Sequence, residues 1–434
     1  MARRERGIHE FFARDPERAD WETWHRVSNH KSRRGFLHGL GATAAALGMQ
    51  IAFSEYMPRG LIPVVYANSS RSFVIEGKDG LVLLNDRPLN AETRPHLLND
   101  DITPTNRLFI RNNGIPPNAV DSIRWTLNIG GESVIRPRQY TLPELKKKFE
   151  HISRQITLEC GGNGRAEFDP PASGNQWTLG AVGCPVWNGM RLRDLLLDVG
   201  LKDDAVFVAY HGEDRHASGD RTREAISRGV HVSKAMDPDS MLVWGMNGTD
   251  LHPMNGHPLR LVFGGQPGST SGKWLSGLSI RDRVHDGPKM APPSYHVPCE
   301  PVVRGSQVSN DAMCMLDLMP VKSLITNPES GIEHPSNQAL PIHGHAWTNA
   351  KDITAVHLSI DYGTTWTKTE LQPPVNRFAW QHFDHSVRFP KRGYYEVWAR
   401  AVDSNGESQP MLVPGWNPKG YGNNACHRIA VHVV

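Results

Sequence analysis

The pattern of this chain changes once, near residue 315, and the change constrains its fold more than any other feature. Before that point, a strand-like alternation at 125–131 is followed by a short segment of helical spacing at 142–149. After it, 356–371 and 393–408 each predict two strands joined by a turn. A chain of 434 residues can bury two substantial cores. The sequence therefore predicts an α+β domain followed by an all-β domain.

The all-β part, expected over residues 315–434, has the features of a sandwich of two sheets. Each of its two predicted hairpins contains a tryptophan, and short strands recur at the spacing of such folds. This combination favours an immunoglobulin-like sandwich. An adhesion-type sandwich without a catalytic role is the alternative for this part of the chain.

The first 67 residues are predicted to form an export signal. Arg33 and Arg34 form a twin-arginine signature, an apolar stretch rich in alanine and glycine follows at 35–53, and residues 65–67 offer a cleavage site. The apolar stretch has the length of a membrane anchor, but the paired arginines and its low hydrophobicity favour export. Because this route carries folded proteins, the leader favours a cofactor made in the cytoplasm. We therefore expect a periplasmic protein with no stable membrane association once processed.

Composition argues against nucleic acid as a partner. The net charge is only +3, and the basic residues are dispersed along the chain. An apolar content of 38% and a charged content of 21% are those of a soluble globular protein.

The cysteines of this chain are Cys160, Cys184, Cys299, Cys314 and Cys426. If the first of them binds a metal, the other four can form between zero and two disulfides. No CxxC spacing of a zinc site and no CxxCH motif for haem attachment is present. The histidines of two close pairs are predicted to be solvated residues of loops or strand ends rather than metal ligands: His343 with His345, and His382 with His385.

Cys160 is the residue with the strongest chemical signal. It follows a short apolar segment, 156–158, that predicts a strand. The glycines directly after it let the backbone turn sharply and approach a large ligand. Arg165, five residues further on, favours the thiolate that a soft metal needs. On this pattern alone, a buried structural cysteine beside a glycine turn is the alternative.

The segment ECGGNGR around Cys160 resembles the cysteine loop of the sulfite oxidase family of molybdenum enzymes. The resemblance continues in the family's order through RLFIRNNGIPP (107–117), GNQWTLGAVGCPVWNGMRLRDLL (174–196), HPLRLVFGGQPGSTSGKWLSGLSI (257–280) and WNPKGYGNNACHRIAVHV (416–433). It implies a molybdopterin-binding catalytic domain over 68–314 and a dimerisation domain over 315–434, hence a homodimer. It also implies that the sulfur of Cys160 binds the molybdenum of the cofactor.

By the same resemblance, a small anion such as sulfite binds among fixed positive charges. Arg111 and Arg165 match two of the family's arginines, and arginine suits an oxyanion because its planar group donates two parallel hydrogen bonds. Lys419 stands where the family has a third arginine, so the charge is kept but the paired donors are lost. Tyr295 matches a tyrosine that donates a hydrogen bond near the metal. For each basic residue alone, a surface salt bridge is the alternative.

The resemblance also implies which residues hold the cofactor, whose phosphate and pterin need backbone amides and basic side chains as donors. Asn113 and Asn255 occupy positions where the family often has histidine, so a hydrogen-bond donor is kept but no group can take up a proton. The full predicted set is Phe109, Arg111, Asn113, Cys160, Asp214, Asn255, Arg260, Ser271, Gly272 and Lys273.

The activity implied by the resemblance is molybdenum-dependent oxidation of sulfite to sulfate. Because the chain contains no haem motif, the electrons are expected to pass to a c-type cytochrome. Two alternatives remain open. One is the catalytic subunit of a sulfane dehydrogenase, with the same fold and a protein-bound sulfur substrate in thiosulfate oxidation. The other is a secreted binding protein on the same scaffold that holds no metal.

Overall fold

The computed structural model describes residues 74–118, 120–349 and 351–434. The predicted export signal at 1–67 lies outside them. Strands are the commonest regular elements of the described chain. Its first part also contains short helices, so that part has the mixed elements that the sequence predicts. Within the described residues, none of the helices has the length and the apolar run needed to cross a membrane.

The described strands before residue 316 are β1 (Leu81–Asp86), β2 (Leu89–Thr93), β3 (Ile110–Arg111), β4 (Thr126–Gly130), β5 (Arg138–Thr141), β6 (Ile152–Gln155), β7 (Leu158–Glu159), β8 (Val182–Gly183), β9 (Val186–Arg191), β10 (Phe207–Gly212), β11 (Gly229–His231), β12 (Met241–Met246), β13 (Thr249–Asp250), β14 (Arg260–Val262), β15 (Leu275–Arg281), β16 (His296–Pro298) and β17 (Met313–Met315). The α-helices described there are α1 (Leu142–Lys148), α2 (Leu192–Val199) and α3 (Val232–Ala235). Single 3₁₀ turns lie at Pro95–Leu98, Thr105–Arg107, Arg165–Glu167, Pro253–Asn255 and Asn310–Ala312.

Two larger sheets form the centre of this first part. One has the strand order β11-β10-β15-β4-β5, in which β15 and β4 run parallel. The other has the order β13-β12-β9-β6, with β14 paired to β12. Strands of both sheets and the helices α1 and α2 share one apolar core, to which Leu127, Leu195, Leu242 and Leu278 belong. Each such fully buried leucine contributes about 1.5–3 kcal/mol to folding.

Helix α1 shows how local sequence sets an element. The Thr141 hydroxyl accepts a hydrogen bond from Glu144 N–H, and the Glu144 carboxylate accepts one from Thr141 N–H at 2.7 Å, which completes a capping box. Pro143 lies in the first turn, where backbone N–H groups have no partner within the helix. The missing N–H of proline therefore costs no helical hydrogen bond there. The helix predicted at 142–149 is therefore confirmed, and it ends one residue early.

Strands are the regular elements of the second part, and its described residues form no helix. Its strands are β18 (Lys322–Asn327), β19 (Ile332–His334), β20 (Leu340–Trp347), β21 (Ile353–Ser359), β22 (Thr367–Lys368), β23 (Glu370–Leu371), β24 (Gln381–Val387), β25 (Gly393–Asp403) and β26 (His427–Val433). They form two sheets, β18-β20-β24-β23 and β19-β26-β25-β21-β22. Ile342 and Phe383 of the first sheet share a core with Val397 and Val431 of the second. This part is therefore a two-sheet sandwich, and its immunoglobulin-like connectivity stays a prediction.

Two local expectations were wrong. The segment 393–408 was predicted as a pair of strands but forms the single long strand β25, with only an isolated bridge after its turn. The segment 156–158 was predicted as one strand, but the ladder breaks between β6 and β7. At this break, Thr157 N–H donates to Phe378 O at 2.8 Å instead of forming a bond of a continuous strand ladder. In both cases a tertiary contact, which the local pattern does not contain, sets the boundary.

Candidate active site

The Cys160 loop begins where a two-stranded ladder ends. Strand β7 pairs with β8, and beyond it Cys160 N–H donates to Ala181 O at 2.9 Å, which fixes the backbone of the cysteine. The loop then turns back, and Gly164 has a φ of 94°, which glycine adopts without strain. The Cys160 side chain is only 5% exposed and lines a cavity of the first domain. A sheltered thiol with space beside it can serve as a metal ligand.

A buried ion pair supports this loop from behind. Glu159 Oε1 lies 2.7 Å from Lys322 Nζ, and the side chains of the lysine and the glutamate are 3% and 2% exposed. Trp347 Nε1 donates to Glu159 Oε2 at 2.8 Å, and Asn163 Nδ2 donates to Oε1 at 2.9 Å. Because Lys322 and Trp347 belong to β18 and β20, the second domain braces the cysteine loop of the first.

All ten residues predicted to hold the cofactor line one cavity, which Tyr295 also lines. We call it the inner cavity. It lies between strand β3, the Cys160 loop and the segment that joins β14 to β15. Other residues of its wall, which the sequence did not single out, are Leu158, Tyr210, Ile226, Gly268, Ser269 and Trp274. The structure thus brings the predicted set together, while the role of each residue stays a prediction.

The wall of the inner cavity has more basic than acidic side chains. Burial lowers the pKa of Arg260 to about 9 and lowers the pKa of Lys273 well below its usual range. Arg260 Nη1 donates to Asn255 O at 2.7 Å, so this cation is held in place by a neutral carbonyl. Among the described residues of the wall, Asp214 is the acidic one, and burial raises its pKa to about 6. Burial disfavours the charged forms of these basic groups, and a bound anion would stabilise them. The excess of basic side chains therefore favours a bound anion.

These donors fit the cofactor that the motifs imply. Lys273 Nζ donates to Met254 O at 2.8 Å, and this bond holds the amino group of Lys273 at the cavity wall. The Ser269 hydroxyl is buried and has no hydrogen-bond partner among the described residues, so a polar ligand atom would satisfy it. Cationic and neutral donors of this kind suit a phosphate and the polar edge of a pterin, while Cys160 offers the thiolate for molybdenum.

A second cavity, of about 250 Å³, lies on the other side of three shared wall residues, Arg111, Asn113 and Tyr295. We call it the outer cavity. Arg165 and Lys419 also line it, so the structure brings the three predicted cations and the predicted tyrosine together. Among the described residues of its wall none is acidic. A wall of this kind attracts a small anion.

Arg165 is fixed in the outer cavity by the backbone around it. Its Nε donates to Lys419 O at 2.5 Å, and its Nη1 donates to Asn175 O at 2.8 Å. A Cβ at Gly162 would collide with the guanidinium of Arg165 in this position. A Cβ at Gly420 would collide with the stem of the same side chain, and the φ of 57° at Gly420 also favours glycine. Burial lowers the pKa of Arg165. A cation held in this way can neutralise an anion without first being rearranged.

Tyr295 connects the surrounding groups into one network. Its hydroxyl accepts hydrogen bonds from Arg111 Nη2 at 3.4 Å and from Asn113 Nδ2 at 3.3 Å. Its ring stacks on Tyr421 with centroids 5.3 Å apart, and Arg228 Cζ lies 4.4 Å from the ring centroid. The backbone of Tyr295 has a φ of 54°, which is rare for a bulky residue and typical of functional sites. The side chain is therefore held by contacts on several sides.

A disulfide anchors the chain next to Tyr295. Cys299 follows β16, Cys314 lies in β17, and the two sulfur atoms are bonded. Cys184 and Cys426 are free and buried. Of the zero to two disulfides that the sequence allows beside Cys160, the structure therefore forms one.

Some residues of the site were missed by the sequence analysis. Tyr421 lies in the C-terminal signature segment, and its position two residues after Lys419 is a signal that could have identified it. Arg228 and Lys322 are isolated basic residues in ordinary strand or loop segments. Only the fold brings these two residues to the site, so no local pattern could have found them.

Two domain families match the chain. Residues 113–289 match the oxidoreductase molybdopterin binding domain, and residues 314–434 match the Mo-co oxidoreductase dimerisation domain. The first match contains most of the inner cavity, and the second contains the sandwich.

Curated relatives are similar over most of this chain. Sulfite oxidase of Gallus gallus is 30% identical over 360 residues, which is 80% of this chain and 77% of that protein. Mitochondrial sulfite oxidase of Rattus norvegicus is 30% identical over 370 residues, 81% of this chain and 65% of that protein. Nitrate reductase [NAD(P)H] of Hordeum vulgare is 29% identical over 377 residues, 81% of this chain and 42% of that protein. The chain thus spans less than two thirds of the last two relatives.

The fold is similar to that of a solved structure as well. The sulfane dehydrogenase SoxCD from Paracoccus pantotrophus matches with a TM-score of 0.67 at 24% identity, covering 90% of this chain and 98% of that chain. This likeness shows a shared fold. Together with the two domain matches and the identity to Gallus gallus sulfite oxidase, it leads to one conclusion: the chain belongs to the sulfite oxidase family of molybdenum-cofactor oxidoreductases.

Proposed function

We propose that this protein oxidises sulfite to sulfate with a molybdenum cofactor. The observation that carries the proposal is the outer cavity, where Arg111, Arg165 and Lys419 converge and no described wall residue is acidic. Sulfite is a small oxyanion, and fixed basic side chains match its charge and geometry. When bound, the molybdenum group would supply the oxygen transfer and accept two electrons.

Within this proposal the residues of the chain bind and orient the substrate. Burial lowers the pKa of Arg111, but Tyr295, Cys160 and Tyr421 together raise it by more, so the guanidinium stays charged. The Tyr295 hydroxyl lies 3.4 Å from Asn113 Oδ1 and can donate to a substrate oxygen instead. Arg165 presents a rigid charge on the same cavity wall. An anion in the outer cavity would thus be held beside Arg111, which also borders the cavity that contains Cys160.

Sulfane dehydrogenase activity is the second candidate. Lys419 in place of the family's third arginine changes the donors of the anion pocket, and the solved structure with the similar fold is a sulfane dehydrogenase. Turnover of free sulfite by the purified protein supports the first candidate. Turnover only of sulfur carried on a partner protein's cysteine supports the second. Absence of molybdenum from the purified native protein would support the metal-free binding protein instead.

Arg111→Ala and Arg165→Ala are each expected to lower kcat/KM for sulfite by about two to three decades, because each leaves the anion in a weaker field. This loss corresponds to roughly 2–4 kcal/mol of transition-state stabilisation. Steady-state oxidation with a cytochrome or ferricyanide acceptor, at two salt concentrations, measures it. Unchanged efficiency in both variants with molybdenum still bound would place the substrate elsewhere.

Variants of Lys419 complete this experiment. Lys419→Arg restores the paired donors and should be tolerated or lower KM for sulfite. Lys419→Ala should resemble the arginine losses in a milder form, because one ammonium makes fewer fixed contacts. Lys147→Ala, on the exposed face of α1, removes the same charge away from the site and serves as the control. If kcat/KM for sulfite changed equally with salt in the control and in the cavity variants, this result would contradict the proposed pocket.

We also propose that the protein acts in the periplasm as a homodimer and passes its electrons to a c-type cytochrome. The twin arginines support the periplasmic location, and the match to a dimerisation domain supports the homodimer. The purified native protein should then begin near Asn68, and replacing Arg33 and Arg34 by lysine should leave a folded, cofactor-loaded precursor in the cytoplasm. Intact-mass measurement tests this, and a native protein that retains both arginines would contradict it.

A further inference from the structure

A group of polar side chains lies on one face of the second domain, and none of them lines either cavity. His343 and His345 lie on β20, and His382 and Asp384 lie on the neighbouring strand β24. His343 is opposite Asp384 and His345 is opposite His382, so all four side chains point to the same face of the sheet. The core residues Ile342 and Phe383 alternate with them and point to the other face.

The prediction that these histidines are solvated residues of loops or strand ends was wrong. His343 and His345 lie inside β20, and His345 is wholly buried. Its ring stacks on Trp380 with the centroids 4.0 Å apart. The strand pairing brings together residues that are about forty positions apart in the chain, which the sequence alone did not reveal.

Three of these side chains offer ligand atoms that converge. His343 Nδ1 contacts Asp384 Oδ1, and His382 Nε2 lies 3.2 Å from the same oxygen. All three atoms lie within 4.8 Å of one another. In a tetrahedral zinc site the bonds are about 2.0–2.2 Å long, which places neighbouring ligand atoms roughly 3.3 Å apart. The distance between His382 and Asp384 therefore matches one edge of such a site.

We propose that His343, His382 and Asp384 form a binding site for a divalent transition-metal ion, with zinc as the first candidate. Two imidazoles and one carboxylate are ligands that zinc prefers, whereas magnesium and calcium prefer oxygen throughout. The three side chains are 35%, 21% and 30% exposed, so solvent can reach the ion and supply a fourth ligand. This site is distinct from that of the molybdenum cofactor, because all three ligands belong to the sandwich.

The surroundings of the site can orient its ligands. His382 Nδ1, the nitrogen turned away from Asp384, lies 3.7 Å from Asp101 Oδ1 of the first domain. The His345 ring packs edge-on against the His382 ring, with centroids 5.0 Å apart. The packed His345 ring restricts the orientation of the His382 ring. A small shift of the exposed Asp101 side chain would let its carboxylate accept a hydrogen bond from His382 Nδ1, as outer carboxylates do at metal sites. A bound ion would therefore join β20 to β24 beside the contact with the first domain, which points to a structural role.

The test uses the molybdenum-loaded, full-length protein with any affinity tag removed. The protein is equilibrated with zinc, freed of weakly bound metal on a chelating resin, and analysed for zinc and molybdenum in one sample by mass spectrometry. The wild type is expected to keep about one zinc ion per chain. His343→Ala and Asp384→Asn should each reduce the retained zinc at least tenfold while the molybdenum content stays the same, because each removes a ligand.

His385→Ala is the matched control. His385 follows Asp384 directly, lies opposite Ile342 and points to the other face of the strand, so its loss should leave zinc retention unchanged. His343→Gln serves as a second variant should His343→Ala fail to fold. Cobalt in place of zinc should give the intense visible absorption of a tetrahedral site in the wild type and in His385→Ala only.

Two results would overturn the proposal. One is wild-type protein that retains less than about a tenth of a zinc ion per chain under these conditions. The other is equal zinc retention in the wild type, His343→Ala or His343→Gln, and Asp384→Asn, which would show that the ion binds elsewhere. Neither result bears on the sulfite proposal, since the readout is metal content and not turnover.

Discussion

Replacement of Cys160 by serine is expected to abolish nearly all sulfite turnover while the protein still folds. A hydroxyl is a poor ligand for a soft metal, so the variant would lose the bond on which the chemistry depends. We expect a loss of about three decades or more in kcat, equivalent to roughly 4 kcal/mol. The fold should persist, because the loop is held by the backbone bond of Cys160 to Ala181 and by the side chain of Glu159.

The measurement combines steady-state turnover with X-ray absorption at the molybdenum edge, which should show one sulfur neighbour fewer in the variant. Cys184→Ser is the matched control. Cys184 is also a free, buried cysteine, burial raises its pKa to about 11, and it lines neither cavity. This control should keep its turnover. Wild-type turnover in Cys160→Ser would refute the assignment of Cys160 as the ligand.

Lys322→Ala is expected to lower the free energy of unfolding by about 3–5 kcal/mol, because it leaves the buried carboxylate of Glu159 without its ion-pair partner. The pair is 2.7 Å apart and nearly excluded from solvent. It also connects the sandwich to the Cys160 loop, so we expect lower molybdenum occupancy together with lower stability. Denaturant unfolding measured in parallel with metal analysis gives both quantities.

Two further variants make this prediction specific. Arg124→Ala removes an ion pair with Asp121 at the protein surface and should change the free energy of unfolding by less than about 1 kcal/mol. The double variant Glu159→Gln with Lys322→Met removes both charges and should recover part of the stability lost in Lys322→Ala. A loss in Lys322→Ala no larger than that in Arg124→Ala would contradict the bracing role of the pair.

Much of the candidate site could be predicted from sequence because its residues occur in short segments that resemble the motifs of a known family. Arg111 and Asn113 stand two residues apart, Arg165 follows Cys160 by five, and residues 271–273 are contiguous. Residues so close in sequence stay close in space in any compact fold, so one motif identifies several of them at once. Local signals also predicted helix α1, since its cap and its apolar spacing lie within nine residues.

Contacts between distant parts of the chain were not predictable in this way. Glu159 and Lys322 are 163 residues apart, and Arg165 bonds to Lys419 O across 254 residues. No local pattern marks Lys322 or Arg228, because their environment exists only after the sheets pack. The same holds for His343 and Asp384, which strand register alone brings face to face.

The amino-acid sequence by itself therefore determined the division into a mixed first part and an all-β second part. Through its resemblance to a family it also determined the cysteine loop and the set of donors that meet in the inner cavity. Tertiary structure alone decided how these donors are supported: which buried charge faces Glu159, which backbone carbonyls fix Arg165, and where the histidines of the sandwich converge. The physical reason is the range of the forces involved. Propensity and turn chemistry act within a few residues, whereas burial and ion pairing depend on which distant surfaces are packed together.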